Sequence, residues 1–589
     1  CYYITAPQTD SNSVKALGQA LDSPHPGVVI YILKLLREIA PHAWQGWLRR
    51  NLSHESPQVR KHVLEQMEEH QLDSALPSVQ ALLAQESDPD VRGAAVRALA
   101  SLSGGELLDQ LTPLLENEQV QLRQGVLVGL LKSGELESII LAGEHLNRLV
   151  RSTRAAERSL AARILADVGN TGLYRPVLKL LADPDQDVRS EALQAAGKLR
   201  NPRLWSLVLE NLAHPNLRGP AANALKLGGE QMMAELDVYF SRPEQTTAMR
   251  VRLTRIAGRV EHSLATEWLQ SKLEDPNQAV RHQAMKALCR RKFQAREATA
   301  ARLQQRLENE ISQATQIRDL RLKLAGEQQL VHSALAYQLQ LRRQNILLCL
   351  SLLYDPEILQ KVRENLSDEA PPGARAAALE VLDVILPRAL KARTLPLLES
   401  ATPLGFPTAA PVPELLAEIA QSEIHSEWTR ACARHQLQPQ ATERTEQMLT
   451  TIEKVIILKK VSLFAETPDE VLSETADALE EVDLPAERTL FQAGDVGNRM
   501  YIIVFGQVKV HLQDKILNTL GPGEIFGEMS LLDSEPRTAS VTTTESTRLL
   551  QLSQEAMYEL MADHSEVMRG IIRFLTSNLR ARLHDSDRR

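Results

Sequence analysis

ESDPDVRGAAVRALASL, residues 86–102, returns in altered form at several places along the chain. Close copies are LADPDQDVRSEALQAAGKL at 181–199 and LEDPNQAVRHQAMKAL at 273–288, and SHESPQVRKHVLEQM at 53–67 is a weaker one. In the close copies an Asp-Pro turn separates two amphipathic helices, because aspartate caps the coming helix and proline is tolerated in its first turn. One such helix pair cannot bury its apolar face alone, so we expect the pairs to stack into a superhelix.

An arginine recurs near the start of the second helix of each repeat. We expect its guanidinium to bond to turn aspartates and to carbonyls of the neighbouring repeat, which would form a ladder of ion pairs. Phosphate binding by the same side chains is the less favoured interpretation. The equivalent residues are Arg60, Arg92, Arg123, Arg158, Arg189, Arg218, Arg250 and Arg281, with successive differences of 32, 31, 35, 31, 29, 32 and 31.

The repeat pattern, between about residues 15 and 440, resembles HEAT repeats of the short bacterial kind. The resemblance implies a HEAT-repeat α-solenoid at 1–289 and further HEAT-like repeats at 346–440, with a protein partner on the repeat surface. The intervening segment 290–345 contains no proline and one glycine. It predicts two long helices that form a hairpin projecting from the array.

The hydrophobic period changes from 3.6 towards 2 in RMYIIVFGQVKVHLQDKILNTLGPGE, residues 499–524. Val508, Val510 and Leu512 alternate there with polar side chains, and glycines punctuate the segment. Short strands with glycine turns at this spacing predict a small antiparallel roll or barrel. A helical linker is expected at 441–462.

Two phrases within this region, FQAGDVGNRMYIIVFGQVKV at 491–510 and GEIFGEMSLLDSEPRTASV at 523–541, resemble the cyclic-nucleotide-binding domain with its phosphate-binding cassette. The resemblance assigns 463–589 to this domain. The predicted fold class is therefore mainly α, a HEAT-repeat solenoid followed by a C-terminal cyclic-nucleotide-binding β-roll of the jelly-roll type with flanking helices.

The chemistry of a cyclic phosphate explains the residues of the cassette. Gly527 allows the backbone N–H groups at a helix start to approach the phosphate, and Arg537 supplies a fixed positive fork for its oxygens. Glu528 would repel the phosphate, so the resemblance places it on the ribose 2′-hydroxyl. The candidate ligand-binding residues are Phe526, Gly527, Glu528, Met529, Arg537, Thr538 and Ala539.

Two features near the cassette leave alternatives open. In relatives that select cGMP, the residue matching Thr538 bonds to the guanine base, but a β-branched residue also favours strand entry without a base contact. Helices are expected from Ser553 to Leu583, the last of them closing over the base. Its candidate pocket residues are Met568, Ile571, Ile572 and Leu575.

Several function classes are excluded or disfavoured by composition. The net charge of −8 does not indicate a surface that binds nucleic acid. The basic stretch CRRKFQAR at 289–296 is interpreted as a solvated helix face. Only six residues follow Leu583, too few for the helix-turn-helix of a transcription factor.

An enzyme is not expected, because the chain contains no phosphate-binding loop of the Walker type, no HExxH motif and no nucleophile elbow. The 15 histidines are scattered and the four cysteines form no CxxC pair, so neither a metal site nor a cofactor is predicted and a reducing compartment is favoured. The cysteines are Cys1, Cys289, Cys349 and Cys432.

The longest apolar run, NILLCLSLLY at 345–354, is far shorter than the roughly 20 residues of a membrane helix. The start at Cys1 is expected to be a fragment boundary, with a lipoprotein start as the less favoured alternative. The order of the segments is similar to soluble tails of bacterial ATP/ADP translocase-like or major-facilitator-type transporters.

The sequence therefore predicts a regulatory scaffold in which cAMP or cGMP capture by the roll changes the HEAT array. It would be the cytoplasmic part of a bacterial membrane transporter in the same polypeptide, at the cytoplasmic face of the inner membrane. The alternative is a separate cytosolic HEAT scaffold whose roll no longer binds a ligand.

Overall fold

The computed structural model describes residues 17–23, 25–324, 329–367, 370–399, 411–437, 448–465, 467–476, 479–495, 497–513, 515–528, 536–563, 567–573 and 576. The chain forms two compact units. The first comprises Cys1–Gln245 and Arg259–Ala265, and the second comprises Thr246–Gly258 and Thr266–Arg589.

Short helices in succession make up the first unit, and short 3-10 turns connect several of them. The buried side chains between the helices are mostly leucine, valine and alanine, as expected for stacked amphipathic pairs. The helices are Pro26–Ile39, Pro41–Asn51, Pro57–Glu69, Leu76–Gln85, Pro89–Leu102, Leu108–Leu111, Val120–Lys132, Leu136–Val150, Ala155–Val168, Tyr174–Leu181, Gln186–Leu199, Trp205–Glu210, Arg218–Gly228 and Met233–Phe240.

The predicted cap, an aspartate directly before a proline of the first turn, is present in one of the three close copies of the repeat. The Asp88 carboxylate accepts hydrogen bonds from the N–H groups of Asp90 and Val91 at 3.0 and 3.1 Å, and Pro89 begins the helix. In the other two copies the capping residue directly follows the Asp-Pro pair: Asp185 caps Gln186–Leu199 and Asn277 caps Gln278–Arg290. These caps satisfy N–H groups that have no partner inside the helix.

Arg158 shows how the repeated arginines act. Its Nε and Nη2 donate to the Asp183 carboxylate at 2.7 and 2.9 Å, and its Nη1 donates to the carbonyls of Ser152 and Thr153 at 3.0 and 3.1 Å. The pair is largely buried, with side-chain exposures of 15% for Arg158 and 7% for Asp183. The arginine therefore holds its own turn and the acidic turn of the following repeat together.

The predicted ladder of ion pairs is only partly present. Arg60 repeats the arrangement with Glu86, at 2.7 and 2.9 Å. Arg92 instead donates to the side-chain amide of Gln119 at 3.2 Å, because that repeat presents no carboxylate at the equivalent place. The carbonyls that accept from these arginines also belong to the arginine's own turn, not to the neighbouring repeat as expected.

The pKa shifts of two buried carboxylates predict that the first unit loses stability in acid. Burial alone would raise the pKa of Asp183, but hydrogen bonds from Arg158 and from the N–H of Asp185 outweigh it and hold the pKa below its usual range. Glu86 follows the same pattern with Arg60. The folded-state pKa is the lower one, so the stabilisation is complete above the unfolded-state value of about 4 and is lost as the pH falls through the folded-state value.

We expect the urea midpoint of the first unit, followed by circular dichroism, to stay level from neutral pH to about pH 5 and to fall below about pH 4. A variant carrying Asp183→Asn and Glu86→Gln should be less stable at neutral pH and should show a flatter decline in acid. An equally steep decline in that variant would assign the acid sensitivity to other carboxyl groups.

Helices also make up most of the second unit, and Ser263–Ser271 includes residues of both units. Residues 567–573 are helical as well. The other helices of the second unit are Thr247–Ala257, Gln278–Arg290, Glu297–Lys323, Gln329–Leu353, Pro356–Asn365, Pro372–Ile385, Arg388–Leu398, Val412–Gln421, Glu427–Leu437, Thr451–Lys460, Asp469–Ala476 and Gln554–Asp563.

The two long helices predicted between 290 and 345 are present as Glu297–Lys323 and Gln329–Leu353. The second one continues beyond residue 345, because residues 345–352 are all buried. It packs against Gln278–Arg290 and Glu427–Leu437, so the pair does not project from the array as expected. Among the described residues, no helix is both long and apolar enough to cross a bilayer.

The helix Thr451–Lys460 is fastened to the start of the roll. Its Lys454 is 9% exposed, and the ammonium donates to the carbonyl of Leu479 at 3.1 Å and lies 3.4 Å from the Glu481 carboxylate. The N–H of Leu449 donates to the same carboxylate at 3.0 Å. Thr450 caps the helix in a reciprocal box with Glu453 at its third position.

In the described part of the roll, eight short antiparallel strands form two four-stranded sheets with orders β1-β8-β3-β6 and β2-β7-β4-β5. Its core contains Ile503, Val508, Phe526, Val541 and Leu549. The strands are β1 (Glu480–Leu484), β2 (Thr489–Phe491), β3 (Arg499–Phe505), β4 (Val508–Leu512), β5 (Lys515–Leu520), β6 (Ile525–Phe526), β7 (Ser540–Thr543) and β8 (Thr547–Ser553).

The predicted alternation along β4 holds at its start and fails at its end. Val508 is fully buried, whereas Leu512 is 47% exposed. The pairing of β4 with β5 shifts register between Val510 and His511, which changes the face that the following residues present. The predicted fold class, mainly α with a C-terminal roll and flanking helices, is confirmed.

Candidate ligand-binding site

The backbone around Arg537 is tied to the turn that precedes β3. The N–H of Gly494 donates to the carbonyl of Arg537, and the N–H of Arg537 donates to the carbonyl of Asp495, both at 2.8 Å. These two bonds join segments about forty residues apart in sequence. They fix where the Arg537 side chain enters the roll.

The guanidinium of Arg537 lies inside the roll, and the residue is 6% exposed. Its Nη1 donates to the carbonyl of Gly527 at 3.0 Å and its Nη2 donates to the carbonyl of Arg499 at 2.6 Å. The Nε is also buried and has no acceptor among the described residues. A buried cation with an unused donor is costly unless an anion approaches it.

Aromatic rings surround this cation on one side. The guanidinium carbon lies 4.2 Å from the centre of the Phe491 ring, which favours a positive charge there. The rings of Tyr501 and Phe526 are stacked with centroids 5.1 Å apart, since the two residues are paired partners on β3 and β6. Phe526 is 4% exposed and joins the core of the roll.

Two glycines leave the space that the guanidinium fills. Gly527 has a φ of +78°, and a β-carbon there would lie 2.5 Å from Nη1 of Arg537. A β-carbon on Gly497 would lie 2.2 Å from Nε of Arg537. Any side chain at either position therefore displaces the arginine, and at Gly527 it also strains the backbone.

We expect Gly497→Ala to weaken cyclic nucleotide binding by about ten-fold, since the displaced Arg537 loses about one charge-assisted hydrogen bond to the ligand. The roll should lose about 1 to 2 kcal/mol of stability. Calorimetric titration and thermal unfolding would measure the two effects. Gly521→Ala is the matched control, because nothing lies within 4 Å of a β-carbon there. Equal affinities of the two variants would show that the position of Arg537 does not limit binding.

The surroundings of Arg537 shift the pKa of its guanidinium in opposite directions. Burial lowers the pKa of its guanidinium from the ordinary value, while the nearby Tyr501, Glu528 and Asp495 oppose this shift. Arginine stays charged at neutral pH even so. The site thus presents a permanent, largely desolvated positive charge next to the half-buried carboxylate of Glu528.

The structure brings together some of the predicted residues and not others. Phe526, Gly527 and Arg537 are in mutual proximity, and Glu528 directly follows them. Thr538 is exposed and Ala539 is half-buried. Met529 lies outside the described residues.

Three partners of Arg537 carry no assignment from the sequence: the Phe491 ring, Gly497 and the Arg499 carbonyl. All three lie within the quoted segment 491–510. The sequence alone does not indicate which carbonyl will accept a hydrogen bond or which residue will leave space for another side chain.

The candidate closing helix is described only in part. Ile571 is 3% exposed, while Met568 and Ile572 are 41% and 57% exposed. Leu575 lies outside the described residues. The assignment of these residues to the ligand pocket remains a prediction.

Chemically, the site can hold an anion. Arg537 offers a fixed fork, Gly527 offers unobstructed backbone, and Glu528 offers an acceptor for a hydroxyl group. Among the described residues, no group of three or more histidine, cysteine, aspartate or glutamate side chains is arranged to hold a metal ion.

Family models match both parts of the chain. Residues 481–564 match the cyclic nucleotide-binding domain. HEAT repeats match at 14–100, 47–132 and 144–226. The C-terminal roll is a cyclic-nucleotide-binding domain, and the N-terminal part carries HEAT repeats.

Individual relatives agree with the C-terminal assignment. A CRP-like cAMP-activated global transcriptional regulator of Mycobacterium tuberculosis is 32% identical over 129 residues, 21% of this chain and 58% of that protein. The cAMP-dependent protein kinase regulatory subunit of Dictyostelium discoideum is 29% identical over 181 residues, 29% of this chain and 51% of that protein.

Among solved structures, the regulatory domain of Toxoplasma gondii PKA with cAMP matches at 28% identity and a TM-score of 0.19, over 20% of this chain and 46% of that one. The chain spans about half the length of the curated relatives it matches.

Proposed function

We propose that the roll binds cAMP or cGMP and that binding regulates the helical repeats. The observation that carries the proposal is the buried guanidinium of Arg537, whose Nε has no acceptor among the described residues and which packs closely against Gly497 and Gly527. A cyclic phosphate supplies one negative charge and the missing acceptor. Gly527 and Glu528 then take the phosphate and ribose roles that the cassette resemblance implies.

The binding step exchanges the acceptors of Arg537. The guanidinium already bonds to the carbonyls of Gly527 on the cassette side and Arg499 on β3. When the phosphate takes one of these donors, the tie between the cassette and β3 changes. A ligand that prefers the changed arrangement shifts the protein towards it by its difference in affinity for the two.

The path to the repeats runs through the helix Thr451–Lys460. Lys454 and Leu449 of this segment bind Glu481 at β1, and β1 pairs with β8, which pairs with β3. The same segment precedes β1 in sequence and follows the repeats. We propose that the repeat surface binds a protein partner and that the chain acts as a regulator, not as an enzyme.

A finer proposal concerns the protein as a whole. The order of repeats, long helices, linker and roll is similar to the soluble tails of bacterial transporters, and we propose such a membrane part in the same polypeptide. The gene would test this: upstream codons in the same reading frame that encode apolar segments of about 20 residues would support it. A start codon in that frame with no such segment between it and Cys1 would contradict it.

Calorimetric titration of the nucleotide-free chain with cAMP and with cGMP tests the proposed function. Binding at micromolar concentration supports it, and the tighter of the two ligands identifies whether Thr538 selects the guanine base. Absence of heat with both ligands, from a folded sample at two temperatures, would refute it. A second temperature is needed because the binding enthalpy can be close to zero at one of them, and a ligand that binds would then release no heat.

A further inference from the structure

A second site lies in the helical part of the second unit. A cavity of about 780 Å³ is lined by side chains of Gln278–Arg290, Gln329–Leu353 and Pro356–Asn365, together with Arg375 and Arg569. It shares no lining residue with the cassette. Its volume falls within the usual range for a small-molecule site, about 300 to 1,000 Å³.

The cavity wall is strongly positive. Among the described residues that line it, Glu364 is the one acidic residue, and its carboxylate accepts a hydrogen bond from the Gln360 amide at 3.0 Å. Six basic side chains come from four helices and from the helical residues 567–573. They are Lys286, Arg290, Arg343, Arg363, Arg375 and Arg569.

Three of these arginines form no ion pair within the part of the chain that the structure describes: Arg290, Arg363 and Arg375. Arg375 donates from Nη2 to the Leu398 carbonyl at 3.0 Å, and its Nε is buried without an acceptor in the described part of the chain. Burial, with a further contribution from the charges of Lys286 and Arg363, lowers the pKa of nearby His282 to about 4.

We propose that this cavity binds a small organic molecule that carries two or more phosphate groups. Guanidinium forks match phosphate oxygens in pairs, and several of them around one cavity suit more than one phosphate. Arg290, Arg363 and Arg375 repel one another when no ligand is bound, and a polyanion relieves that repulsion. Leu347, Leu348, Leu366 and Leu398 also line the cavity and suit the organic part of the ligand.

Arg569 would link the bound ligand to the position of the C-terminal helical segment. The helical segment 567–573 packs closely on the leading part of the C-terminal domain, since a β-carbon on Gly570 would lie 3.1 Å from the Leu463 carbonyl. A phosphate bound to both Arg569 and Arg363 would join this segment to the helix Pro356–Asn365. The bound ligand would therefore stabilise one arrangement of the C-terminal segment on the repeats.

Calorimetric titration of the full chain with inorganic tripolyphosphate, in magnesium-free buffer, tests the site. We expect binding that Arg363→Ala and, separately, Arg290→Ala weaken by about ten-fold, the loss expected for one charge-assisted contact. Lys361→Ala is the matched control, because Lys361 is exposed on the same helix as Arg363 and does not line the cavity. Inorganic phosphate should bind much more weakly than tripolyphosphate.

Three outcomes would overturn the proposal. One is no binding of tripolyphosphate at millimolar concentration, and another is an equal loss in Lys361→Ala and in the two arginine variants. The third is equal binding of phosphate and tripolyphosphate, which would indicate a site for a single anion. Arg290→Ala is included in case Arg363→Ala fails to fold. Arg290 is exposed, so its replacement leaves the packing intact.

Discussion

Replacing Arg537 with alanine should weaken cyclic nucleotide binding by about 100-fold or more, since two charge-assisted hydrogen bonds to the phosphate are lost. Alanine also removes the bonds to the carbonyls of Gly527 and Arg499, so the roll itself should become less stable. Calorimetry gives the affinity, and circular dichroism establishes that the variant is folded at the titration temperature.

Two further variants serve as comparisons for Arg537→Ala. Arg488→Ala removes an exposed arginine from the same roll and should bind like the natural chain. Arg537→Lys keeps the charge but not the planar fork, so its affinity should lie between those of the natural chain and of Arg537→Ala. If Arg537→Ala binds as tightly as Arg488→Ala, the phosphate is held elsewhere.

Asp183→Ala should destabilise the first unit by about 3 kcal/mol, because it leaves the largely buried Arg158 without its counter-charge. Arg158 keeps its bonds to the carbonyls of Ser152 and Thr153, which limits the loss. The effect should appear in urea unfolding as an earlier transition of the repeats. Cyclic nucleotide affinity should stay unchanged.

The matched control for this variant is Asp187→Ala. Asp187 carries the same charge four residues later and is exposed, so its removal should cost no more than about 0.5 kcal/mol. A double variant, Arg158→Met with Asp183→Leu, should recover much of the stability, since two apolar side chains of similar size leave no buried charge. Equal losses in Asp183→Ala and Asp187→Ala would show that burial of the pair does not matter.

Local signals account for what the sequence predicts well. The cap at Asp88 depends on residues two and three positions away, so a short quoted stretch contains the whole interaction. The period of two at Val508 and the glycines around it likewise identify a roll within one short window. The position of Arg537 follows from the resemblance of 523–541 to the phosphate-binding cassette, and its role on the phosphate stays a prediction.

The parts that sequence could not supply involve residues distant along the chain. The Arg499 carbonyl accepts from Arg537 across 38 positions, and any residue type has a carbonyl. The repeats predict an acidic partner for each arginine, yet Asn117 takes the place of Glu86 and Asp183, and Arg92 donates to Gln119. Which side chain faces which depends on the phase of each helix in the stack.

The basic cavity illustrates the same limit. The sequence predicts a solvated helix face at 289–296, which is wrong for most of the stretch, because the helix ends at Arg290 and Ala295 is buried. Arg290 itself is exposed. The interpretation misses that Arg290 shares one cavity with Arg363 and Arg569. A short stretch of sequence cannot indicate a site whose residues come from helices that are some hundreds of residues apart along the chain.

The fastening of Lys454 and Leu449 to Glu481 determines which fragment can be excised. A chain that starts at residue 463 leaves the Glu481 side chain, 8% exposed, without the ammonium and the amide that neutralise it. Such a loss costs about 3 kcal/mol, enough to unfold a small domain. We expect the fragment 448–589 to be recoverable as a folded protein and 463–589 to aggregate, which size-exclusion chromatography would distinguish. The helix before the roll is thus part of the smallest portion of this chain that can be prepared for study alone.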